Sequence, residues 1–460
     1  MDGHPIWLTE DKTARPPLRG KQQAEAVVVG GGLCGVTTAL LLKRGGMQVV
    51  LLEAERAGFG ASGHSMARAT VQHGLIYSLL AKKWGQEVSQ AYAICQSGAL
   101  KAMASLIDEL SISCGWTLQD ASLVARTKEE ARLLEKEEAA AQAAGLAMSH
   151  TPCGACPVPA HSLLTIPAQA MLDPYAYVQA LVEAFVLLGG RVYENSRVRS
   201  ITTQSVSTET GIVHAPFVII ATHFPIINFP GWYFLRARQW RSHVAAFSGV
   251  PAFDGMYQHI GEGGFSLRKA DGLALFADAV YPCGRQTNTD HDVLLRSRLE
   301  TFFPGAKVAA TWHGQDVFSA DALPFAGPYS RRTPNHFVAA GFSKWGLTNS
   351  MAAAQAVSAR ILGDALPESE IFDPARTMKY SARSVFGTLL RSGGAYLKGM
   401  AKRQAPKCTH MGCRLKYVPS TASWDCPCHG SRFDSIGRVK NGPAVRSALI
   451  RNRNRPDSST

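Results

Sequence analysis

The chain has 460 residues, 46% of them hydrophobic, and a formal net charge of +13, with a mean hydropathy of −0.04. This length and apolar content predict two or three domains with buried cores and exclude a largely disordered chain. The sequence lacks a signal-peptide pattern at its start, its apolar runs are too short to span a bilayer, and most of its ten cysteines are scattered. We therefore expect a cytoplasmic protein rather than a secreted disulfide framework.

The positive charge lies in one part of the chain. After Asp373 there are 17 Lys and Arg against three acids, a net charge of +14, whereas residues 1–373 carry 31 basic against 32 acidic groups, a net charge of −1. A basic end of this kind suits an acidic protein partner or an anionic membrane surface, and nucleic acid less well. A solubilising linker and tail would explain the same charge.

A nucleotide-binding unit is predicted near the start of the chain. Residues 25–29 form an apolar run typical of a buried parallel strand, and residues 36–43 have helical periodicity. Between them, Gly30, Gly32 and Gly35 have the G-x-G-x-x-G spacing, and a second strand over residues 47–52 ends at Glu53. Glycines in this context allow a tight turn against a pyrophosphate, and the acid is placed to accept ribose hydroxyls. No second unit of this type occurs, which disfavours a separate nicotinamide domain.

The middle of the chain is expected to supply the substrate domain. Residues 76–145 have a helical pattern, with a charged helix over 128–144, and residues 231–325 alternate as in an antiparallel sheet. The candidate site groups are His73, His223, Arg241, Trp312, His313 and Lys344. For each one a structural role is the commoner outcome, and Lys344 and His73 are the preferred catalytic candidates. Cys153 and Cys156 form a C-x-x-C pattern among prolines, which we interpret as a loop coincidence.

Two short stretches near the end contain a second group of candidate ligands. Cys408-x-His410 and Cys426-x-x-His429 each supply one Cys and one His, with 15 residues between them. Zinc accepts a Cys₂His₂ set, but zinc fingers usually pair like with like. One Cys and one His from each loop suit a Rieske [2Fe–2S] centre, in which one iron takes two thiolates and the other two imidazoles.

Four further stretches carry a family resemblance. Residues 58–75, 189–198, 217–225 and 335–354 resemble, in this order, the flavin-binding segments of the D-amino-acid oxidase and glycine oxidase superfamily. The resemblance implies an α/β fold with a Rossmann-like FAD-binding domain and an inserted antiparallel β-sheet substrate domain. It also implies further FAD-binding residues, namely Ser62, Gly63, Val198, Ala221, Thr222, Gly341, Gly346, Leu347 and Thr348.

The sequence resembles, more narrowly, the members of this superfamily that carry a C-terminal Rieske domain. The resemblance implies that Cys408, His410, Cys426 and His429 ligate a [2Fe–2S] cluster and that Cys413 and Cys428 form a disulfide. The stretch before Cys408 shows no strand alternation, so we expect a shortened all-β Rieske-like domain whose loops can lean on the flavin domain. The expected divisions are an N-terminal extension (1–21), the FAD-dependent oxidoreductase (22–375), a basic helical linker (376–406), the cluster segment (407–446) and a basic tail (447–460).

These features predict an FAD-dependent dehydrogenase. It would oxidise a small amine or amino-acid-like substrate and pass electrons through the cluster to an acidic protein or a quinone at the basic end. The apolar residues among the cations of the linker are compatible with peripheral membrane contact, although a helix packed on the flavin domain is favoured. The alternatives are a flavin oxidase that uses O₂, or a non-catalytic flavoprotein whose C-terminal segment is clusterless or binds zinc.

Overall fold

The computed structural model describes residues 3–8, 14–284, 290–364, 366–376 and 405–450. Its α-helices are α1 (Leu33–Arg44), α2 (Ile76–Trp84), α3 (Gln86–Glu109), α4 (Lys128–Ala143), α5 (Pro174–Leu187), α6 (Tyr233–Arg236), α7 (His291–Phe302) and α8 (Gly346–Leu362). Within this described part of the chain, no helix combines the length and apolar character needed to cross a membrane.

The first sheet has six strands. In spatial order they are β18 (Phe325–Ser330), β19 (Thr333–Ala340), β12 (Phe217–Ile220), β2 (Ala26–Val29), β3 (Val49–Leu52) and β8 (Arg191–Tyr193). All neighbours pair in parallel except β18, which is antiparallel to β19. The central strands β2 and β3 are buried throughout, because helices α1, α5 and α8 pack on one face of this sheet and residues of a small β-sheet, among them Val206 and Val213, cover the other. The strand–helix–strand unit predicted from the glycine motif is confirmed.

A second sheet of nine strands lies beside the first. Its order is β17 (Lys307–Ser319), β13 (Ala237–Ser248), β16 (Leu273–Pro282), β15 (Ser266–Ala270), β14 (Met256–His259), β5 (Thr117–Ala125), β7 (Ser162–Met171) and β4 (Arg68–Ala69), with β6 (Ser149–Thr151) also beside β7. The pairs are antiparallel except β14 with β5. The inserted, mainly antiparallel sheet is therefore confirmed.

Two details of this domain differ from the expectation. The region predicted as helical, 76–145, contains β5, whose apolar second half is buried between β14 and β7. The region predicted as sheet contains α7, whose first turn is capped by the Asp290 carboxylate on the backbone N–H groups of Asp292 and Val293. Contacts distant in sequence therefore decided β5, whereas α7 begins at a local capping residue.

A small sheet joins the N-terminal residues to the flavin domain. It contains β1 (Gly20–Gln23), β11 (Gly211–His214), β10 (Ser205–Ser207) and β9 (Ser200–Ile201), with β1 parallel to β11. Upstream of it, Trp7 is buried against Trp312, with ring centroids 5.7 Å apart. The described residues of the expected N-terminal extension therefore pack on the domain that follows, and β1 crosses the expected boundary at residue 22.

The C-terminal segment folds around its own small sheet. Its strands are β20 (Lys416–Val418), β21 (Ser423–Asp425), β22 (Arg432–Phe433) and β23 (Val439–Asn441), all paired antiparallel. Every one of these strands follows the first ligand loop. Most of the predicted linker, at 377–404, and the last part of the predicted tail, at 451–460, lie outside the described residues.

Candidate dinucleotide and cluster sites

A cleft opens at the carboxyl ends of β2 and β12, between the N-termini of α1 and α8. Many of the residues expected to bind FAD line it, and Lys344 and His223 lie there as well. The expected residues in its lining are Gly30, Gly32, Glu53, Ser62, Val198, Ala221, Thr222, Gly346 and Leu347.

The glycine turn has no space for side chains. Gly30 has φ +110°, and a Cβ there would lie 2.4 Å from the carbonyl oxygen of Ala221. A Cβ on Gly35 would lie 1.9 Å from the carbonyl oxygen of Gly30. Gly35 therefore does not line the cleft but lets α1 approach the turn, which is the helix-packing role expected of the third glycine.

The N-terminus of α1 fits a pyrophosphate. Its N-cap Gly32 has no side chain, its first turn has no acid, and the N–H of Leu33 donates to the Ser62 hydroxyl at 2.9 Å. The Glu53 carboxylate accepts from the N–H groups of Gly31 and Glu55 at 2.6 and 2.8 Å. Desolvation raises the pKa of Glu53, although both N–H groups act to lower it. A helix N-terminus suits phosphate oxygens, and an acid at the end of the second strand suits ribose hydroxyls.

The N-terminus of α8 reaches the same cleft from the other side. Ser343 and Lys344 before it are both left-handed, with φ +50° and +74°. These two residues bring their backbone and side chains into the cleft. Two left-handed residues in succession carry a conformational cost, and such strain is concentrated at functional sites. Desolvation lowers the pKa of Lys344, the charge of Asp316 raises it and that of Arg68 lowers it. Desolvation raises the pKa of Asp316 to about 6, although Lys344 opposes this shift.

Besides Gly35, four expected residues do not line the cleft, and one of them is His73, a preferred catalytic candidate. Its Nδ1 is 2.6 Å from the Tyr92 hydroxyl, its Nε2 is 2.8 Å from the carbonyl oxygen of Thr70, and its ring stacks on Trp345. Burial lowers the pKa of His73 to about 3. With both nitrogens engaged in the core, His73 has a structural position.

The other three expected residues outside the lining also have packing positions. The carbonyl oxygen of Gly63 accepts from the Trp7 indole N–H at 2.5 Å. Gly341, with φ +81°, makes the turn after β19, and the Thr348 hydroxyl donates to the carbonyl oxygen of Thr70 at 3.1 Å. These residues pack behind the residues that line the cleft and do not form part of the lining.

The four predicted cluster ligands lie together. The His410 and His429 rings are 5.1 Å apart and nearly perpendicular. Among the described residues, Nδ1 of His410 and both ring nitrogens of His429 are buried without a hydrogen-bond partner. Unpartnered buried nitrogens are costly unless something binds them. These nitrogens therefore fit iron ligation.

The two cysteines complete the donor set. Cys408 and Cys426 hydrogen-bond through their sulfur atoms, and this bond lowers the pKa of Cys408 while raising that of Cys426. The N–H groups of His410 and Met411 also point at the Cys408 sulfur, and those of Cys428 and His429 at the Cys426 sulfur. Because the thiolate is the metal-binding form, N–H groups aimed at both sulfurs fit a [2Fe–2S] cluster.

The two ligand loops are also joined covalently. Cys413 and Cys428 form a disulfide, as the family resemblance implied. The Cys413, Cys426 and Cys428 sulfurs lie within 4.8 Å of one another, but two of these three are consumed by the disulfide. That trio is not a metal set.

The cluster loops rest on the substrate-domain sheet. Gln239 on β13 donates to the carbonyl oxygens of His429 and Gly442 at 2.6 and 2.9 Å, and Gln315 on β17 donates to that of Gly430 at 2.9 Å. Arg241 and Asp425, the residue before Cys426, form an ion pair at 2.8 Å with side chains 0% and 2% exposed. Arg241 was a site candidate, but nothing in the local sequence indicates any of these contacts. Arg241 therefore serves the cluster loops rather than the cleft.

Comparison with known proteins agrees with both sites. Residues 25–360 match the family model for FAD dependent oxidoreductases, and residues 388–452 match the Rieske [2Fe-2S] domain model. A putative Rieske 2Fe-2S iron-sulfur protein, YhfW, of Bacillus subtilis (strain 168) is 29% identical, with 96% of each chain covered. The gamma-glutamylputrescine oxidoreductase of Escherichia coli (strain K12) is 23% identical over 74% of this chain and 84% of that protein. The L-proline dehydrogenase from P. horikoshii has the same fold, with a TM-score of 0.66 at 18% identity over 78% of this chain and 98% of that one.

Proposed function

The chain belongs to the FAD dependent oxidoreductase family and carries a Rieske [2Fe-2S] domain, and we propose that it is a dehydrogenase that sends electrons from a small amine substrate through the cluster to an external acceptor. The contact between the two sites carries this proposal. Lys440, Asn441, Gly442, Ala444 and Val445 of the cluster segment form part of the lining of the dinucleotide cleft. A domain that shares a wall with the cleft is well placed to take electrons from it.

The residues assigned to the two cofactors follow from the geometry of the sites. Gly30, Gly32 and Ser62 would surround the pyrophosphate, Glu53 the ribose, and Gly346 with Leu347 the far end of FAD. Cys408, His410, Cys426 and His429 would hold the [2Fe–2S] cluster. When bound, FAD supplies hydride acceptance and one-electron release, and the cluster supplies one-electron transfer.

Two cations, Lys344 in the lining of the cleft and Arg68 outside it, favour a substrate that carries a carboxylate besides its amine. Arg68 lies with its Cζ 5.0 Å from the centre of the Trp345 ring and donates to Gln258 and Ser266, and among the described residues it has no carboxylate partner. Arg68 and Lys344 repel each other, so a substrate carboxylate between them would be stabilised. The relatives named for gamma-glutamylputrescine and L-proline support the amine class.

The acceptor is proposed to be an acidic protein. In the described part of the cluster segment, the exposed charged side chains include Lys407, Arg438 and Arg446, whereas Asp425 is buried. A cationic surface around a redox centre accelerates encounter with an anionic partner. A cytoplasmic location belongs to the same proposal.

Spectroscopy of protein purified without oxygen tests both cofactors. We expect a flavin absorption spectrum and, after dithionite reduction, the rhombic signal of a His-ligated [2Fe–2S] cluster in electron paramagnetic resonance. Flavin without that signal, in protein produced with ample iron, would refute electron transfer through a cluster and favour the oxidase alternative.

Turnover then tests the electron route. Amines and amino acids would be screened with ferricyanide and with O₂ as acceptors. Cys426→Ser should retain substrate-dependent flavin reduction but lose the cluster signal and slow ferricyanide reduction. Cys283→Ala is a matched control, because Cys283 is another buried cysteine near the same loop and is not a proposed ligand. Equal ferricyanide rates in Cys426→Ser and wild type would show that electrons bypass the cluster.

A further inference from the structure

A loop of the flavin domain covers the histidine side of the cluster site. The loop runs from Asn228 into α6, and the Phe234 ring lies 6.3 Å from His410 and 5.5 Å from His429. Phe229 and Trp232 of the same loop pack on Phe234 and are themselves half exposed. The two imidazoles are thus enclosed by the flavin domain rather than presented directly to solvent.

One contact from this loop reaches an imidazole nitrogen. The Asn228 side-chain oxygen lies 2.5 Å from Nε2 of His410. An amide oxygen only accepts hydrogen bonds, so Nε2 must carry the proton. The remaining nitrogen, Nδ1, then has a free lone pair, and it is the nitrogen of His410 that is buried without a partner among the described residues.

We propose that Asn228 is a positioning residue of the cluster, which fixes the tautomer of His410 and lowers the reduction potential of the bound [2Fe–2S] centre. A hydrogen bond from a ligating imidazole to an oxygen increases the basicity of the ligand. A more basic ligand favours the oxidised, more positive iron, so the bond lowers the potential. The inference rests on the ligand assignment in the proposed function.

The same contact limits how an acceptor can reach the cluster. Because Nε2 of His410 is bonded to Asn228, an external acceptor cannot hydrogen-bond that nitrogen while the loop is in place. The flavin domain thereby contributes to the potential of the centre to which it delivers electrons. An acceptor would instead approach across the exposed surface of Phe229, Trp232 and Met411.

Two substitutions of nearly equal shape separate this role from a purely structural one. Asn228→Leu removes the acceptor, so the midpoint potential should rise. Asn228→Asp supplies a charged acceptor, so the midpoint potential should fall. Asn335→Leu and Asn335→Asp are the matched controls, since Asn335 is exposed on β19 and should leave the potential unchanged.

The measurement is a redox titration of the full-length protein at one pH, followed by electron paramagnetic resonance, with FAD content recorded for each variant. A rise in Asn228→Leu with a fall in Asn228→Asp supports the proposal, as does the fall alone if Asn228→Leu fails to assemble the cluster, whereas the reverse pair of shifts would overturn it. Wild-type potentials in both variants, shifts of the same sign, or loss of the cluster from both with FAD retained would overturn it. A wild-type protein without a cluster would instead refute the proposed function, and this would be seen before any variant is measured.

Discussion

The dinucleotide cleft and the cluster site obtain their structural support from different parts of the chain. The cleft is centred on a single short unit, in which Gly30, α1 and Glu53 follow one another and the strands beneath them belong to the same domain. The cluster loops have only four short strands of their own and lie against β13 and β17 of the substrate sheet. The cleft should therefore survive changes in the cluster segment, whereas the cluster should depend on the flavin domain.

The substrate sheet separates the two sites through its alternating faces. Gln239 and Arg241 on β13 point toward the cluster loops. Asp316 on β17 pairs with Trp240, the β13 residue between them, so it faces the other side of the sheet and points into the cleft. Because successive residues of a strand face opposite sides, one strand pair can serve both sites. This explains how a small segment without a full base of its own is held beside the cleft.

The largest effect is expected from breaking the buried ion pair. Arg241→Met leaves buried Asp425 with only its longer, 3.9 Å pair to Arg432, and loss of the closer cation costs up to about 3–5 kcal/mol for a buried pair. Because Asp425 precedes Cys426, we expect iron content to fall while FAD is retained, as measured by metal analysis and flavin absorbance. Arg44→Met is the control, since its pair with Glu109 is partly exposed and should contribute at most about 1 kcal/mol. An Arg241→Met protein with full iron content would show that the cluster does not depend on the sheet.

A glycine pair tests the same dependence by steric means. Gly284 and Gly272 have φ +71° and +76°, so Ala at either position adds left-handed strain of about 1–2 kcal/mol. Only at Gly284 would the new Cβ collide, 2.3 Å from the carbonyl oxygen of Cys426, which adds about 1–3 kcal/mol. We expect Gly284→Ala to lower the iron-to-flavin ratio and Gly272→Ala to leave it unchanged. Equal ratios in the two variants would argue against tight seating of the second loop.

Local sequence predicted the motifs of both sites but not the contacts between them. Gly30 to Glu53 and Cys408 to His429 each lie within a short span, so spacing and residue type were informative. The Arg241–Asp425 pair joins residues 184 positions apart, and nothing near either residue indicates its partner. The same reason hid Asn228, Gln239 and the strand β5. His73 lies beside a flavin-like motif, and local sequence did not indicate that its side chain turns into the core.

The position of His73 predicts a pH effect confined to the flavin domain. Its pKa is lowered by burial to about 3, against about 6.5 for an unfolded chain, so only the unfolded state binds this proton at intermediate pH. Stability is therefore lost as pH falls below about 6.5, and this residue accounts for about 2 kcal/mol at pH 5. In urea unfolding of the apoprotein, the free energy of unfolding of His73→Gln should fall by about 2 kcal/mol less than that of wild type between pH 7.5 and pH 5. It should also retain substrate-dependent flavin reduction at pH 7.5. Loss of that reduction in folded, FAD-loaded protein would restore the catalytic interpretation.

The smallest effect concerns the exposed charge of the cluster segment. If electrons leave through this segment, Lys407→Glu should slow the oxidation of pre-reduced protein by ferricyanide, a trivalent anion. A charge about 10 Å from the encounter changes the energy by about 0.4 kcal/mol per pair of unit charges in water, and Lys→Glu changes the charge by two units against a trivalent anion, so we expect slowing on the order of tenfold at low salt. Raising the ionic strength should reduce the difference, because the Debye length falls to about 8 Å at 0.15 M. Lys101→Glu, at an exposed position on α3, carries the same charge change on the flavin domain. Equal slowing in both variants would mean that only the net charge of the protein matters. Slowing in Lys407→Glu alone would place the electron exit on the cluster segment, the part of the molecule that depends on the flavin domain for its support.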